Sequence, residues 1–155
     1  MSSLPPIVGT INAVQGKAFV APAEPPNTYL GMARALHAGI EPLASAGKAA
    51  AVPLAFVAAQ VAECALKAYL SRSGKDELLR KPPLNHNLEL LWERAQSEML
   101  PVSRPPPKWL SDLSALHSAP YFIRYSTGVH GLVLPAVEPM ATELTALVAL
   151  VEQLV

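Results

Sequence analysis

The sequence contains one cysteine and few charged residues, and each scarcity excludes a class of protein. Cys64 alone excludes an intrachain disulfide and a cysteine-based metal set, and its apolar helical surroundings indicate a buried thiol in a reducing, cytoplasmic setting. Charged residues make up 15% of the 155 residues, and 12 basic side chains balance 12 acidic ones. The chain therefore has no overall field to attract nucleic acid, so any RNA contact requires a local cluster.

Familiar catalytic and targeting motifs are also missing. There is no Gly-rich phosphate loop, serine nucleophile elbow or zinc-finger spacing, and no segment has the features of a signal peptide. The apolar run 49–66 contains Pro53, Gln60 and Glu63, and the part before Glu63 is shorter than the roughly 20 residues of a membrane span. We therefore predict a buried helix there, no membrane contact and no cofactor.

Hydrophobic periodicity predicts an all-α chain behind an N-terminal arm. Residues 1–27 are rich in proline and nearly uncharged, and the short apolar runs beside Gln15-Gly16 predict either a hairpin or an irregular arm. Residues 28–155 carry apolar side chains at spacings of three and four, interrupted by glycine and proline. The five helices that this pattern predicts begin at Asn27 or Thr28, near Val52-Pro53, after Asn85 or Asn87, after 105–107, and at Pro135.

Three of these helices carry further expectations. The first runs without a break to Gly47, and the third has Met99 on its apolar face. The last has apolar residues around most of its circumference, so it requires burial on more than one side. A homodimer interface and a central position in the bundle would both provide that burial, and we favour the dimer.

An arginine and a histidine, Arg124 and His130, stand with five residues between them after the fourth predicted helix. Arginine is always charged and histidine titrates near neutrality. RNA self-cleavage needs a base for the 2′-OH, an acid for the leaving oxygen and positive charge near the phosphate, so these residue types fit that chemistry. They also fit a structural role, in which Arg124 is a helix-end residue or the partner of a carboxylate such as Glu63, and His130 is an exposed turn residue.

The remaining polar residues of interest lie on or between predicted helices. Glu63 and Lys67 have i,i+4 spacing on a largely buried helix, so we expect an internal ion pair or a polar pocket. His86, at a helix start, fits packing and hydrogen bonding in the first turn. His37 and His117 fall on separate helices without metal-site spacing, so we predict no metal site. The candidate phosphate-binding residues, here called the basic loop, are Arg72, Lys75, Arg80 and Lys81.

Three short segments occur in a recognisable order on these helices. They are Glu63-Cys-Ala-Leu-Lys-Ala-Tyr-Leu70, Asn85-His-Asn-Leu-Glu-Leu-Leu91 and Phe122-Ile-Arg-Tyr125. Together they resemble the HEPN (higher eukaryotes and prokaryotes nucleotide-binding) superfamily over residues 28–155. The resemblance implies a five-helix up-and-down bundle, often a homodimer. It also implies binding of a nucleotide or RNA, or action beside a nucleotidyltransferase-type partner in a defence or toxin–antitoxin setting.

One branch of the superfamily consists of metal-independent endoribonucleases with a closely spaced arginine and histidine at the dimer interface. Arg124 and His130 match that spacing, but Tyr125 stands where catalytic members carry a polar residue, and residues 126–131 resemble a turn rather than a helix start. The favoured function is therefore a non-catalytic or weakly nucleotide-binding HEPN-like module that works with a partner protein. In it Arg124-Tyr125 is mainly a marker of the family, and Tyr125 is a structural polar residue. The alternatives are an endoribonuclease using Arg124 and His130 across a homodimer, and a plain interaction scaffold. The sequence leaves open whether the chain is an enzyme.

Overall fold

The computed structural model describes residues 24–74, 76–125 and 131–155 with their side chains, and the backbone of residues 11–14 and 17–20. Strands β1 (Ile11–Val14) and β2 (Lys17–Val20) pair antiparallel, with Ile11 opposite Val20. Of the two interpretations of the arm, the hairpin is the one that these residues form. The remaining residues of the arm, together with Lys75, His130 and most of the turn expected at 126–131, lie outside the described residues.

Regular structure in the described residues after the hairpin is helical, which confirms the all-α prediction for that part of the chain. The α-helices are α1 (Asn27–His37), α2 (Ile40–Ser45), α3 (Ala51–Ser71), α4 (Asp76–Leu79), α5 (Leu88–Ser97), α6 (Lys108–His117) and α7 (Val137–Leu154), with a 3₁₀ turn (Gly47–Ala50) before α3. The number of helices therefore differs from the expected five. One predicted helix is divided in two, and α4 has no counterpart in the sequence prediction.

The core of the molecule is α3, which contacts each of the other six described α-helices. It is buried along most of its length, and its many alanines allow neighbouring helices to approach closely. Together with the 3₁₀ turn it forms a stretch, Gly47–Ser71, that is long and apolar enough to cross a membrane. Its packing among the other helices agrees instead with the predicted core helix.

The first predicted helix is divided at Ala38-Gly39, so the expectation of an unbroken helix to Gly47 was wrong. Pro42 explains the break: it has no N–H for a helical hydrogen bond, and its ring would clash with the carbonyl of Ala38. In the observed structure Pro42 lies in the first turn of α2, where no such bond is needed. Gly47 follows the end of α2 with a φ of +67°, which glycine adopts at little cost.

Met99 does not belong to the apolar face of α5, contrary to the sequence prediction. The helix ends at Ser97, and Met99 has a φ of +74° and is 83% exposed. The N–H of Leu100 bonds to the carbonyl of Ala95 at 2.9 Å, which closes the helix end, and Leu100 is buried instead. The buried apolar residue at this end of α5 is therefore Leu100, one position later than helical spacing predicts.

The last helix, α7, lies against α3 and also contacts α1, α2 and α6. Its buried side chains form a stripe on one side, while residues such as Ala146 and Ala149 are exposed. The central position considered from the sequence therefore belongs to α3 and not to α7. The buried residues of α7 are Met140, Leu144, Leu147, Val148 and Val151.

Candidate functional site

A buried carboxylate with three hydrogen-bond donors lies in the middle of α3. Lys67 Nζ donates to Glu63 Oε1 at 2.6 Å, so the ion pair expected from the i,i+4 spacing is present. On the other oxygen, Oε2, His117 Nε2 lies at 2.5 Å and His86 Nδ1 at 3.1 Å. These four residues, here called the Glu63 cluster, come from α3, from the end of α6 and from the segment before α5.

The hydrogen bonds keep Glu63 ionised although it is buried. Burial by itself raises the pKa of this carboxyl, but the hydrogen bond from His117, the charge and hydrogen bond of Lys67, and the hydrogen bond of His86 together lower it to about 2. Lys67 also donates to the backbone carbonyl of Asn85 at 2.7 Å. The cluster thus contains a buried carboxylate with an ammonium as its counter-charge.

His86 is the member of the Glu63 cluster that reaches the surface. About 29% of its side chain is exposed, and its ring packs edge-on against the rings of His117 and Tyr121, at centroid distances of 5.7 Å in both cases. Because Glu63 is ionised, it accepts a hydrogen bond from His86 Nδ1–H, and the neutral ring then has its lone pair on Nε2. That nitrogen makes no hydrogen bond to any side chain or backbone group of the described residues.

His117 is fully buried at the end of α6. Its Nε2 bonds to Glu63, and its Nδ1 has no hydrogen-bond partner among the described residues. A buried acceptor without a donor costs about 1–3 kcal/mol. The position of His117 follows from the helix period, since it lies seven residues after the buried Leu110 and on the same face of α6. This apolar spacing is the sequence signal that could have placed it in the core.

Glu63, His86 and His117 could bind a metal ion by residue type, because their ligand atoms lie within 4.8 Å of one another. The sequence analysis predicted no metal site because it did not place these three side chains close together. Two observations nevertheless favour a hydrogen-bonded cluster. Tetrahedral zinc ligands are about 3.3 Å apart, whereas Glu63 Oε2 and His117 Nε2 are at a hydrogen-bond distance of 2.5 Å. A divalent cation would also lie beside the buried ammonium of Lys67, which already neutralises Glu63.

His86 lies beside Tyr121, Arg124 and Tyr125. These four residues are here called the Arg124 surface. The backbone N–H groups of Arg124 and Tyr125 both bond to the carbonyl of Tyr121 at 2.9 Å, so the segment turns tightly after α6. The guanidinium carbon of Arg124 is 5.8 Å from the centre of the Tyr121 ring, and the Tyr121 and Tyr125 rings are 6.5 Å apart. Tyr125 is 60% exposed.

Arg124 differs from the other five arginines of the chain. Its side chain makes no hydrogen bond or ion pair within the described residues, and its contact there is with the Tyr121 ring. Of the structural roles considered from the sequence, the pairing of Arg124 with a carboxylate such as Glu63 is therefore absent from the described residues. The donors to Glu63 are Lys67, His86 and His117. His130, the other residue of the predicted catalytic pair, lies outside the described residues.

The described members of the basic loop all have acidic partners. Arg80 pairs with Asp76 and Lys81 with Glu77, both at i,i+4 spacing across α4. Arg72 lies over the Tyr69 ring at 3.5 Å and has Glu98 Oε2 at 3.6 Å. Hydrogen bonds from Arg80 and Tyr29 outweigh the effect of burial and lower the pKa of the Asp76 carboxyl. The positive charge of this loop is therefore largely balanced by local carboxylates, and Lys75 lies outside the described residues.

Comparison of the chain with protein-family models, with curated proteins and with solved structures finds no match in any of the three.

Proposed function

We propose that this chain is a HEPN-like helical module that binds a nucleotide or RNA through its phosphate at the Arg124 surface. The observation that carries the proposal is the availability of Arg124, whose guanidinium makes no hydrogen bond or ion pair in the described part of the chain. Guanidinium groups bind phosphate oxygens with two parallel hydrogen bonds. Arg124 is therefore available for a ligand in a way that the paired cations of the basic loop are not.

The tyrosines beside Arg124 support the same proposal. Tyr125 is exposed and Tyr121 is half-buried, and single-stranded nucleic acids bind to proteins by stacking bases on such rings next to a cation. The HEPN-like proposal includes a homodimer and, in the same setting, a nucleotidyltransferase-type partner protein in a defence or toxin–antitoxin system. The resemblance of the three sequence segments supports those parts of it.

A binding titration tests the proposal and its location. Fluorescein-labelled single-stranded RNA of mixed sequence is titrated with the chain in EDTA and followed by fluorescence anisotropy. We expect Arg124→Ala to weaken binding and to reduce the slope of log affinity against log salt by about 1. Tyr125→Ala should weaken binding by about 1–3 kcal/mol if a base stacks there. Displacement of the RNA by ATP would assign the site to mononucleotides as well.

The matched control is Lys81→Ala, which removes an equal charge from the basic loop. Because Lys81 is paired with Glu77, we expect little change in RNA affinity. A larger effect of Lys81→Ala than of Arg124→Ala would move the phosphate site to the basic loop. No binding of RNA or ATP by the native chain would remove the proposal and favour the plain interaction scaffold.

A second candidate function is metal-independent cleavage of RNA, in which Arg124 stabilises the phosphate and His130 transfers a proton across a homodimer interface. The availability of Arg124 favours this candidate too, because the pentavalent phosphate requires a cation that is not neutralised by a neighbour. Metal-independent cleavage in EDTA, lost in His130→Ala, is the expected result. Retention of full cleavage by His130→Ala would exclude this role of His130.

A further inference from the structure

His86 bonds to Glu63 through one ring nitrogen, Nδ1, and its other ring nitrogen, Nε2, is not buried. The 3.1 Å contact from His86 Nδ1 to Glu63 Oε2 orients the ring, and Nε2 makes no hydrogen bond to the described residues. His117 and Lys67 already give each oxygen of Glu63 a donor, at 2.5 and 2.6 Å. His86 is therefore not required to satisfy the buried carboxylate, and its partial exposure is not explained by that role.

We propose that His86 is the general base of an RNA-cleaving site at the Arg124 surface, and that Glu63 is its positioning residue. This inference rests on the proposed binding of RNA at the same surface and supplies the second candidate function with a base inside one subunit. A carboxylate that accepts from one nitrogen of an imidazole fixes the tautomer of the ring and stabilises the imidazolium that forms when the other nitrogen takes a proton.

The Tyr121 ring lies close to both the proposed base and the cation. It lies edge-on to His86, with centroids 5.7 Å apart, and the guanidinium carbon of Arg124 is 5.8 Å from the same ring. These two distances place the His86 ring and the Arg124 guanidinium on either side of, or above, one common ring, at most about 11.5 Å apart. One ribose and its 3′-phosphate must span that separation in the proposed complex. Tyr121 has a φ of +63°, a left-handed conformation that is costly for a non-glycine residue. Such strain is often found where a functional geometry requires it.

The proposed step is transesterification at phosphorus. His86 Nε2 takes the proton of the 2′-OH, and the 2′ oxygen uses the freed electron pair to form a bond to phosphorus. The bond from phosphorus to the 5′ oxygen breaks, and its electron pair leaves with that oxygen, which takes a proton from water or from a second acid. Arg124 donates hydrogen bonds to the non-bridging oxygens. The products are a 2′,3′-cyclic phosphate and a 5′-hydroxyl, with no net oxidation.

Cleavage of single-stranded RNA of mixed sequence in EDTA tests this proposal. We expect the native chain to form 2′,3′-cyclic phosphate ends and to bind the all-deoxy oligonucleotide without cleaving it. His86→Ala should cleave RNA at least about 100-fold more slowly than the native chain, the usual contribution of a general base. Its affinity for the deoxy oligonucleotide should be retained. Added imidazole should restore part of the rate in His86→Ala. The matched control is His37→Ala, whose histidine hydrogen-bonds Thr145 on α7 and should leave the rate unchanged.

Glu63→Gln supplies a separate measurement for the positioning residue. It should lower kcat while KM stays close to that of the native chain, because the base loses its orientation and the RNA contacts remain. If this variant does not fold, His86→Ala with and without imidazole still decides the question.

Three results would overturn the proposal. The first is binding of RNA without cleavage by the native chain, which would leave the proposed binding function in place. The second is equal cleavage by His86→Ala and His37→Ala. The third is a dependence of cleavage on added Zn²⁺ that is lost together with Zn²⁺ binding in His86→Ala, which would make the Glu63 cluster a metal site. Absence of RNA binding would instead remove the proposed function itself.

Discussion

At the scale of single residues, one ionised carboxylate organises the polar part of the core. Glu63 receives hydrogen bonds from three different segments of the chain and carries the charge that makes the buried Lys67 tolerable. Replacing one partner of a buried ion pair leaves the other partner without compensation. The stability and the chemistry of the Glu63 cluster therefore depend on the same side chain.

Glu63→Gln removes this negative charge and leaves the Lys67 ammonium buried without a counter-charge. We expect the free energy of unfolding to fall by about 3–5 kcal/mol at neutral pH, measured by urea denaturation. The matched control is Glu93→Gln at an exposed position of α5, which should change stability by less than about 0.5 kcal/mol. Equal effects of the two substitutions would show that the buried pair contributes nothing particular to stability.

The same carboxylate makes the free energy of unfolding depend on pH in the acidic range. Burial raises the pKa of Glu63 but its donors lower it to about 2, from an ordinary value of 4.5. The unfolded chain therefore binds this proton at a higher pH than the folded chain does. The stabilisation is complete above about pH 4.5 and is lost as the pH falls towards about 2. The stability difference between the native chain and Glu63→Gln should narrow across this window, and a constant difference would contradict the assignment.

The single thiol should be unreactive in the folded chain. Burial, followed by the negative charge of Glu63, raises the pKa of Cys64 to about 12. The thiolate is the nucleophilic form, so iodoacetamide should alkylate Cys64 in mildly alkaline buffer much more slowly in the native chain than in urea. Mass spectrometry of the two samples over time measures the ratio. Similar rates in both conditions would show that α3 is not buried as described.

At the scale of secondary-structure elements, the start of α5 depends on a cap from its own chain segment and on a hydroxyl from α6. Asn87 Oδ1 accepts from the N–H of Leu90 at 3.1 Å. Ser114 Oγ accepts from the N–H groups of Leu88 and Glu89 at 3.1 and 3.3 Å. These bonds satisfy three N–H groups of the first turn and attach α5 to α6 directly after His86.

Asn87→Ala should lower the free energy of unfolding by about 1 kcal/mol, the usual cost of losing an N-cap side chain. The control is Asn85→Ala, because Asn85 contributes its backbone carbonyl to Lys67 and its side chain makes no hydrogen bond in the described part of the chain. Urea denaturation followed by the fluorescence of Trp92 and Trp109 measures both variants. A larger loss for Asn85→Ala would place the cap two residues earlier than the structure does.

At the scale of the whole molecule, α3 occupies the centre and α7 lies on the outside with one long side exposed. That side includes Ala146 and Ala149, and Val137 and Leu154 are exposed near its two ends. The homodimer in the HEPN-like proposal would cover this side. Within one chain, α1, α2, α3 and α6 cover only part of α7, although its sequence predicts burial on more than one face.

Sedimentation equilibrium tests the dimer. We expect a mass of twice the 16.5 kDa of one chain for the native chain, and dissociation in Ala146→Arg, because a charged side chain in the interface would be buried without a partner. Ser97→Arg, at an exposed position of α5, is the control and should remain dimeric. A native chain with the mass of one copy, or an Ala146→Arg variant that remains dimeric, would exclude this face as the interface.

Short-range features were accessible from the sequence. The Glu63–Lys67 ion pair, the cap at Asn87 and the core helix around Cys64 depend on side chains within a few positions of one another, so residue spacing predicts them. The division between α1 and α2 follows from Pro42 by the same local reasoning, although the apolar spacing concealed it.

Long-range convergence required the tertiary structure. His117 lies 54 positions after Glu63 and His86 lies 23 positions after it, and neither spacing carries information about distance in space. The sequence by itself determined the all-α body and the need to neutralise two charges on a buried helix. Only the packing of α6 and of the segment before α5 against α3 decided that two histidines, and not Arg124, bond to Glu63. The reason is that packing distant segments together depends on the summed burial of many apolar side chains, while an i,i+4 pair depends on the helix alone.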